Sequence, residues 1–69
     1  MNRTPVDSSL LVSVGYDHDR LVLETELTSA AVYQYLDVPE SVFQELMSAD
    51  SLGSYYNKNI RNNYRYIQL

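Results

Sequence analysis

The chain has no cysteine and no tryptophan, and its 69 residues include only two glycines and a single histidine. Without cysteine, neither a disulfide nor a thiolate zinc site can form. The only glycines, Gly15 and Gly53, cannot make a glycine-rich phosphate-binding loop. His18 lies in a polar turn segment, where no third group would hold it as a general base. The sequence therefore predicts no catalytic residues and no enzyme activity.

Long hydrophobic runs are also missing. No stretch approaches the roughly 20 apolar residues of a membrane span, and no apolar run of signal-peptide length follows the amino terminus. We therefore expect a cytoplasmic, soluble protein with no membrane partner. A chain of 69 residues has room for one domain. We assign residues 1–69 to a single unit that opens with a polar lead-in at residues 1–9.

Carboxylates occur close together in two places, and both have an ordinary explanation. Asp17 and Asp19 flank His18, but adjacent residues in a turn point in different directions, which argues against a metal site. Glu24 and Glu26 would share one face of a strand, where a carboxylate pair can do acid–base chemistry or simply solubilise an outer sheet face. We favour the interpretation that Glu24 and Glu26 solubilise the outer face of the sheet. The sequence thus predicts no metal, no cofactor and no small-molecule substrate.

Three segments alternate apolar and polar residues with the period of two that is typical of β-strands. They cover residues 10–16, 21–27 and 32–36, and short polar turns connect them, which predicts an antiparallel meander. The faces predicted to be buried carry Val12, Val14 and Tyr16, then Leu21, Leu23, Thr25 and Leu27, and finally Tyr33 and Tyr35. The last pair has two readings: core aromatics with their hydroxyls at the edge, or an exposed platform on which bases stack.

Two helices should follow the strands. Pro39 suits a helix start because it lacks an N–H and has a fixed φ, and an apolar face recurs through residues 42–47. Asp50 or Ser51 can cap a second helix over residues 52–61. Gly53 inside this helix predicts a close approach to the sheet or to the first helix. Residues 62–69 form either a tail or a final strand.

The charges are divided along the chain. Residues 1–50 hold nine acids against two arginines, a net charge of −7, whereas residues 51–69 hold three cations and no acid, a net charge of +3. A split of this kind hints at a directed surface. Cations interleaved with aromatic rings are the mixture that binds single-stranded nucleic acid. The candidate nucleic-acid-binding residues are Tyr55, Lys58, Arg61, Tyr64, Arg65 and Tyr66. An acidic partner protein would be attracted by the same cations.

An ordered series of residues across nearly the whole chain resembles the KTSC domain. The series comprises Ser9, residues 14–17, Val32, Tyr33, Tyr35, Val38, Pro39, Val42, Phe43, Gly53, Tyr55, Tyr56, Asn57, Ile60, Arg61 and Tyr64. The resemblance implies a small module that occurs alone in bacteria and at the carboxyl terminus of some lysyl-tRNA synthetases. It also implies RNA, either tRNA-like or single-stranded, as a partner, and it supplies no catalytic residues. The chain departs from the family pattern at Ala30 and Ala31, where glycine is expected, and at Thr25, where a larger apolar residue is usual.

We therefore predict an α+β fold: a three-stranded antiparallel meander followed by two helices packed on one face, with a short C-terminal strand or a tail. The expected function is a small non-catalytic binding module. RNA is the favoured ligand, bound through the C-terminal aromatic and basic segment. A protein–protein interaction module is the alternative.

Overall fold

The computed structural model describes residues 1–69 and contains five strands and two helices. All neighbouring strands are antiparallel, and their order across the sheet is the order along the chain. The prediction of an α+β meander followed by two helices is confirmed, but the sheet has five strands rather than three. The elements are β1 (Thr4–Pro5), β2 (Leu11–Asp17), β3 (Val22–Leu27), β4 (Val32–Tyr35), α1 (Glu40–Ser48), α2 (Leu52–Asn59) and β5 (Tyr66–Gln68).

The two additional strands lie at the two edges of the sheet. Strand β1 falls inside the segment predicted to be a polar lead-in, and it pairs with β2 so that Thr4 lies opposite Val14. A two-residue strand containing a proline has no periodic signal, and proline is tolerated at a sheet edge. Strand β5 pairs with β4, which places Tyr66 opposite Tyr35. The C-terminal segment is therefore a strand and not a tail.

A bulge in β2 changes which residues of that strand are buried. Leu11 pairs with Leu27 and Ser13 pairs with Glu26, so Val12 is the extra residue. Because one inserted residue inverts the alternation, Leu11 is buried and Val12 is exposed. The prediction that Val12 shares the buried face was wrong for this reason.

Local backbone conformation explains two further features of the turns. Leu21, predicted to be in the core, has φ 57° at the end of the first turn and is exposed. Ala30 has φ 75°, in the left-handed region that favours glycine. Glycine was the residue expected there from the family pattern, so alanine at this position carries backbone strain.

Both helices begin close to their predicted starts. Helix α1 follows Pro39, which has extended backbone geometry, and α2 is capped by the Ser51 hydroxyl, which accepts a hydrogen bond from the N–H of Ser54. Gly53 faces the loop before β2, where a Cβ atom would lie 3.4 Å from Cβ of Leu10. The close approach predicted there is real, but it is to this loop and not to the sheet or α1. At nine and eight residues, neither helix is long and apolar enough to cross a membrane.

The helices cover one face of the sheet and enclose the core with it. The fully buried apolar side chains come from β2, β3, β4, both helices and the segments that follow β4 and α2. Phe43 is half-buried and stacks on Tyr16 with ring centroids 4.9 Å apart. The core residues are Leu11, Val14, Leu23, Leu27, Tyr35, Val38, Leu46, Tyr56 and Ile60.

The opposite face of the sheet is closed by a polar network. Arg3 forms an ion pair with Glu24 at 2.8 Å, and Gln34 donates a hydrogen bond to the other carboxylate oxygen of Glu24, also at 2.8 Å. The amino-terminal residues lie over Gly15, where a Cβ atom would meet the carbonyl oxygen of Asn2 at 2.6 Å. Glu24 is therefore buried, with one carboxylate oxygen paired to Arg3 and the other bonded to Gln34, so it does not serve as the solubilising outer residue that the sequence predicted.

Candidate nucleic-acid interface

A cleft lies between β4, β5 and the segment that follows α2. Its volume is about 270 Å³, and we call it the tyrosine cleft. Strand β4 supplies two tyrosines on the same face because side chains alternate along a strand, and β5 places a third beside them. The segment after α2 supplies the remaining side chains. The cleft is lined by Tyr33, Tyr35, Arg61, Asn62 and Tyr66.

The three tyrosine rings of the cleft contact one another. Tyr33 meets Tyr66 edge to face with centroids 5.4 Å apart, and Tyr35 lies 5.8 Å from Tyr66. Tyr66 is 56% exposed, Tyr33 is half-buried and Tyr35 is buried. Tyr66 therefore keeps ring surface available to a ligand, while its neighbours hold it in place.

The floor of the cleft is uncharged. The Tyr35 hydroxyl forms a hydrogen bond with the Tyr56 hydroxyl. Burial, followed by this hydrogen bond, raises the pKa of Tyr35 far above its usual value, although the charge of Arg61 acts in the opposite direction. Tyr35 consequently stays neutral at every physiological pH, so the floor carries no negative charge that would repel an anionic ligand.

Two of the predicted cations are available to a ligand. Arg61 donates a hydrogen bond to Oδ1 of Asn57 at 3.3 Å, and no carboxylate lies within ion-pair distance of it. Lys58, three residues earlier on α2, is likewise exposed and without an acidic partner. Arg65 differs because it pairs with Asp37 at 3.3 Å on the open surface. An exposed pair of this kind is weak, but it reduces the net charge beside the cleft.

The other two predicted residues lie outside the cleft. Tyr55 and Tyr64 are half-buried and pack against the core. Burial raises the pKa of Tyr55, and the nearby Glu45 and Tyr64 raise it further. An acid beside Tyr55 disfavours a phosphate there. Of the six candidates, the structure thus brings Arg61 and Tyr66 into the cleft, while Lys58 is exposed on α2, three residues before Arg61 and outside the cleft lining.

The six candidates did not include three residues that line this cleft: Tyr33, Tyr35 and Asn62. The signal for Tyr33 was its alternation with Tyr35, which left a core and a platform reading open. Both tyrosines line the cleft, but Tyr35 is buried and belongs to the core, whereas Tyr33 is only half-buried. No signal pointed to Asn62, which fell in the segment 62–69 predicted as a tail or final strand.

A second and wider cavity of about 620 Å³ lies beside the β2–β3 turn. His18 faces Glu40 at 3.3 Å, and the Asp17 carboxylate accepts hydrogen bonds from the N–H groups of Asp19 and Arg20. The Asp17 carboxylate is occupied by hydrogen bonds within the turn, and the Glu40 carboxylate faces His18. No group of three potential metal ligands converges there or elsewhere in the chain. The cavity has no exposed tyrosine ring of the kind that Tyr66 presents in the tyrosine cleft.

A family model, related proteins and a solved structure all match most or nearly all of this chain. A family model described as the KTSC domain matches residues 7–64. A protein from Stutzerimonas stutzeri strain A1501 is 45% identical over 67 residues, which cover 96% of this chain and 94% of that protein. A lysine–tRNA ligase from Nostoc punctiforme is 33% identical over 63 residues, covering 91% of this chain but 11% of the ligase. The crystal structure of a KTSC domain protein from Yersinia pestis has a TM-score of 0.96 at 38% identity, covering 99% of this chain and 96% of that one.

Proposed function

The chain belongs to the KTSC domain family, and on this premise we propose that it is a non-catalytic module that binds single-stranded RNA at the tyrosine cleft. The observation that carries the proposal is the combination of an exposed tyrosine ring with an arginine that has no acidic partner, in one cleft. An unpaired base would stack on Tyr66, and the phosphates on either side would contact Arg61 and Lys58.

The energies of these contacts support a weak but measurable interaction. Stacking of a base on an aromatic side chain contributes about 1–3 kcal/mol, and it depends little on base identity. Two phosphate contacts on a single strand give a slope of about −1.4 for the logarithm of affinity against the logarithm of salt concentration. Because the net charge of the chain is −4, binding relies on this local surface and not on overall attraction.

The relatives supply an RNA context for the proposal. The matching region of the Nostoc punctiforme protein belongs to a lysine–tRNA ligase, although it spans only 11% of that chain. A tRNA offers unpaired bases in its loops and at its end, which are the parts that aromatic side chains recognise. We place this activity in the cytoplasm, where such RNA is found.

An acidic segment of a partner protein is the second candidate. The specific observation in its favour is that Lys58 and Arg61 both lack carboxylate partners, so they would attract aspartate or glutamate side chains as readily as phosphates. A protein ligand of this kind does not need the exposed ring of Tyr66. Whether binding depends on the Tyr66 ring therefore distinguishes RNA from an acidic protein segment as the ligand.

The experiment is a titration of fluorescently labelled, unstructured RNA at low and moderate salt, read by anisotropy. We expect Arg61→Ala to weaken binding about tenfold at low salt, since a charge-assisted contact is lost. The matched control is Arg20→Ala, which removes one exposed arginine from the distant β2–β3 turn and should change the affinity by less than about twofold.

Two results would contradict the proposal. The first is no binding at low salt. The second is an equal loss of affinity in both arginine variants, which indicates general attraction and no site. Binding of polyglutamate but not RNA would favour the acidic protein partner.

A further inference from the structure

The two edges of the sheet differ in how well they are protected against pairing with another strand. Strand β1 forms one edge, is two residues long and contains Pro5, which has no N–H to offer. Strand β5 forms the other edge and contains tyrosine, isoleucine and glutamine, with no proline and no charge. Only the β5 edge is therefore open to strand addition.

The hydrogen bonds to β4 show which backbone groups of β5 point outward. The N–H of Leu36 donates to the carbonyl of Arg65, and the N–H of Leu69 donates to the carbonyl of Val32. In an antiparallel pair, alternate residues face the partner strand, so residues 65, 67 and 69 face β4. Tyr66 and Gln68 consequently direct their N–H and C=O groups away from the sheet.

We propose that a second copy of this chain pairs with β5 in antiparallel orientation, about a two-fold axis that passes beside Ile67. Tyr66 of each copy then lies opposite Gln68 of the other, and the outward backbone groups form four hydrogen bonds. The two five-stranded sheets become one continuous sheet of ten strands. This inference rests on the β5 edge alone and does not depend on the proposed function.

A second copy fits this edge because the strand is complementary to itself. The pairing is isologous, so each contact is made twice. Ile67 is 50% exposed and would meet its counterpart across the axis on the outer face. The charges also permit the arrangement, because the two Arg65 side chains would be separated by about 13 Å along the strands, beyond the screening length in physiological salt.

The dimer has a consequence for the tyrosine cleft. A two-fold axis perpendicular to the sheet keeps both helix layers on the same side. Because Tyr66 belongs to β5, the two clefts would then adjoin the seam between the copies. If each cleft binds RNA as proposed, one strand of RNA can engage both, and the second contact is gained at high effective concentration.

The absence of cysteine allows a direct test by cross-linking. In the proposed pairing the two Ile67 residues form a non-hydrogen-bonded pair with Cα atoms about 4.5 Å apart, inside the range that a disulfide spans. Under mild oxidation, Ile67→Cys should form a covalent dimer at least about tenfold faster than the control Val12→Cys. Val12 is comparably exposed but lies on β2.

Sedimentation equilibrium supplies the second measurement. A three-residue edge gives a small interface, so we expect a dissociation constant on the order of 0.1 mM. Ile67→Lys places two charges at the axis and should leave only monomer, whereas Val12→Lys should still dimerise. A parent protein that stays monomeric at about 1 mM, a dimer that survives Ile67→Lys, or equal cross-linking of the two cysteine variants would overturn the proposal. None of these outcomes affects the RNA titration, which is performed at concentrations where the monomer dominates.

Discussion

The chain uses its seven tyrosines in two ways, and the clearest contrast is between the pair Tyr35 and Tyr56 and the single residue Tyr66. The pair is buried, and each hydroxyl is the hydrogen-bond partner of the other. Tyr66 packs its ring against Tyr33 and Tyr35 but leaves more than half of its surface to solvent. Tyr35 belongs to the buried pair and also contacts Tyr66, so it forms both part of the core and the floor of the cleft.

Coverage by a helix decides the role of a tyrosine in so small a domain. Where a helix covers the strand, the ring fills the core and the hydroxyl must find a partner, because an unpaired buried polar group is costly. Where the helix has ended, the same side chain becomes a surface on which a ligand can stack. The Tyr35 ring meets Tyr56 of α2, whereas both aromatic partners of Tyr66 lie on β4.

The largest expected effect separates the two groups by stability. Tyr56→Ala removes a fully buried aromatic ring and should lower the free energy of unfolding by about 3–5 kcal/mol, enough to unfold a domain of this size. Tyr66→Ala removes only the partly exposed ring contacts with Tyr33 and Tyr35 and should lower it by about 1–2 kcal/mol. Thermal unfolding by circular dichroism checks both, and similar losses in the two variants would mean that the contrast is wrong.

The next effect concerns the buried hydroxyl pair. Tyr35→Phe keeps the ring but leaves the Tyr56 hydroxyl without its partner, which should cost about 1–3 kcal/mol. The double variant Tyr35→Phe/Tyr56→Phe removes both polar groups and should recover much of that loss. A double-mutant cycle by urea unfolding measures the coupling, and a coupling near zero would show that the hydrogen bond does not stabilise the fold.

The same pair predicts a dependence on pH. Because the pKa of Tyr35 is raised on folding, the unfolded chain loses this proton first as the pH rises above about 10. The native state then holds more protons than the unfolded state, so stability falls with increasing pH and is fully present below that value. Unfolding midpoints between pH 8 and pH 11 should show the decline, and a smaller decline is expected for Tyr35→Phe. An unchanged unfolding midpoint between pH 8 and pH 11 would contradict the predicted loss of stability.

The smallest effect is a gain in stability beside the cleft. Thr25 lies opposite Tyr33, is fully buried, and has a hydroxyl with no hydrogen-bond partner in the protein. Thr25→Val keeps the shape and removes this group, so the free energy of unfolding should rise by about 1 kcal/mol. The matched control is Thr28→Val at an exposed turn position, which should gain much less. A loss of stability in Thr25→Val would show that the hydroxyl is satisfied.

Much of this fold could be predicted because β3, β4 and both helices carry strong periodic signals and a clear helix start at Pro39. The errors occur where tertiary structure overrides the local pattern. The bulge at Val12 inverts the alternation of β2, and strand β1 exists only because β2 provides a partner. Thr25, a departure from the family pattern, is fully buried, and its hydroxyl has no hydrogen-bond partner in the protein.

The candidate site could be predicted only in part. Cations and tyrosines without acids led the prediction to the C-terminal segment, but sequence distance says nothing about which of these side chains converge. Arg65 meets Asp37, 28 residues away, and the packing of α1 against α2 half-buries Tyr55. The contribution of β4 to the cleft became visible only when β5 was found beside it.

A titration of isotope-labelled protein with unstructured RNA, followed by amide and tyrosine-ring chemical shifts, locates the RNA-binding surface residue by residue. We predict that the largest changes fall on Tyr33, Arg61, Asn62 and Tyr66, with little change at the Arg3–Glu24 network on the opposite face. Shifts that are absent at low salt, or that concentrate on the opposite face or the β2–β3 turn, would contradict the assignment of the tyrosine cleft as the binding site.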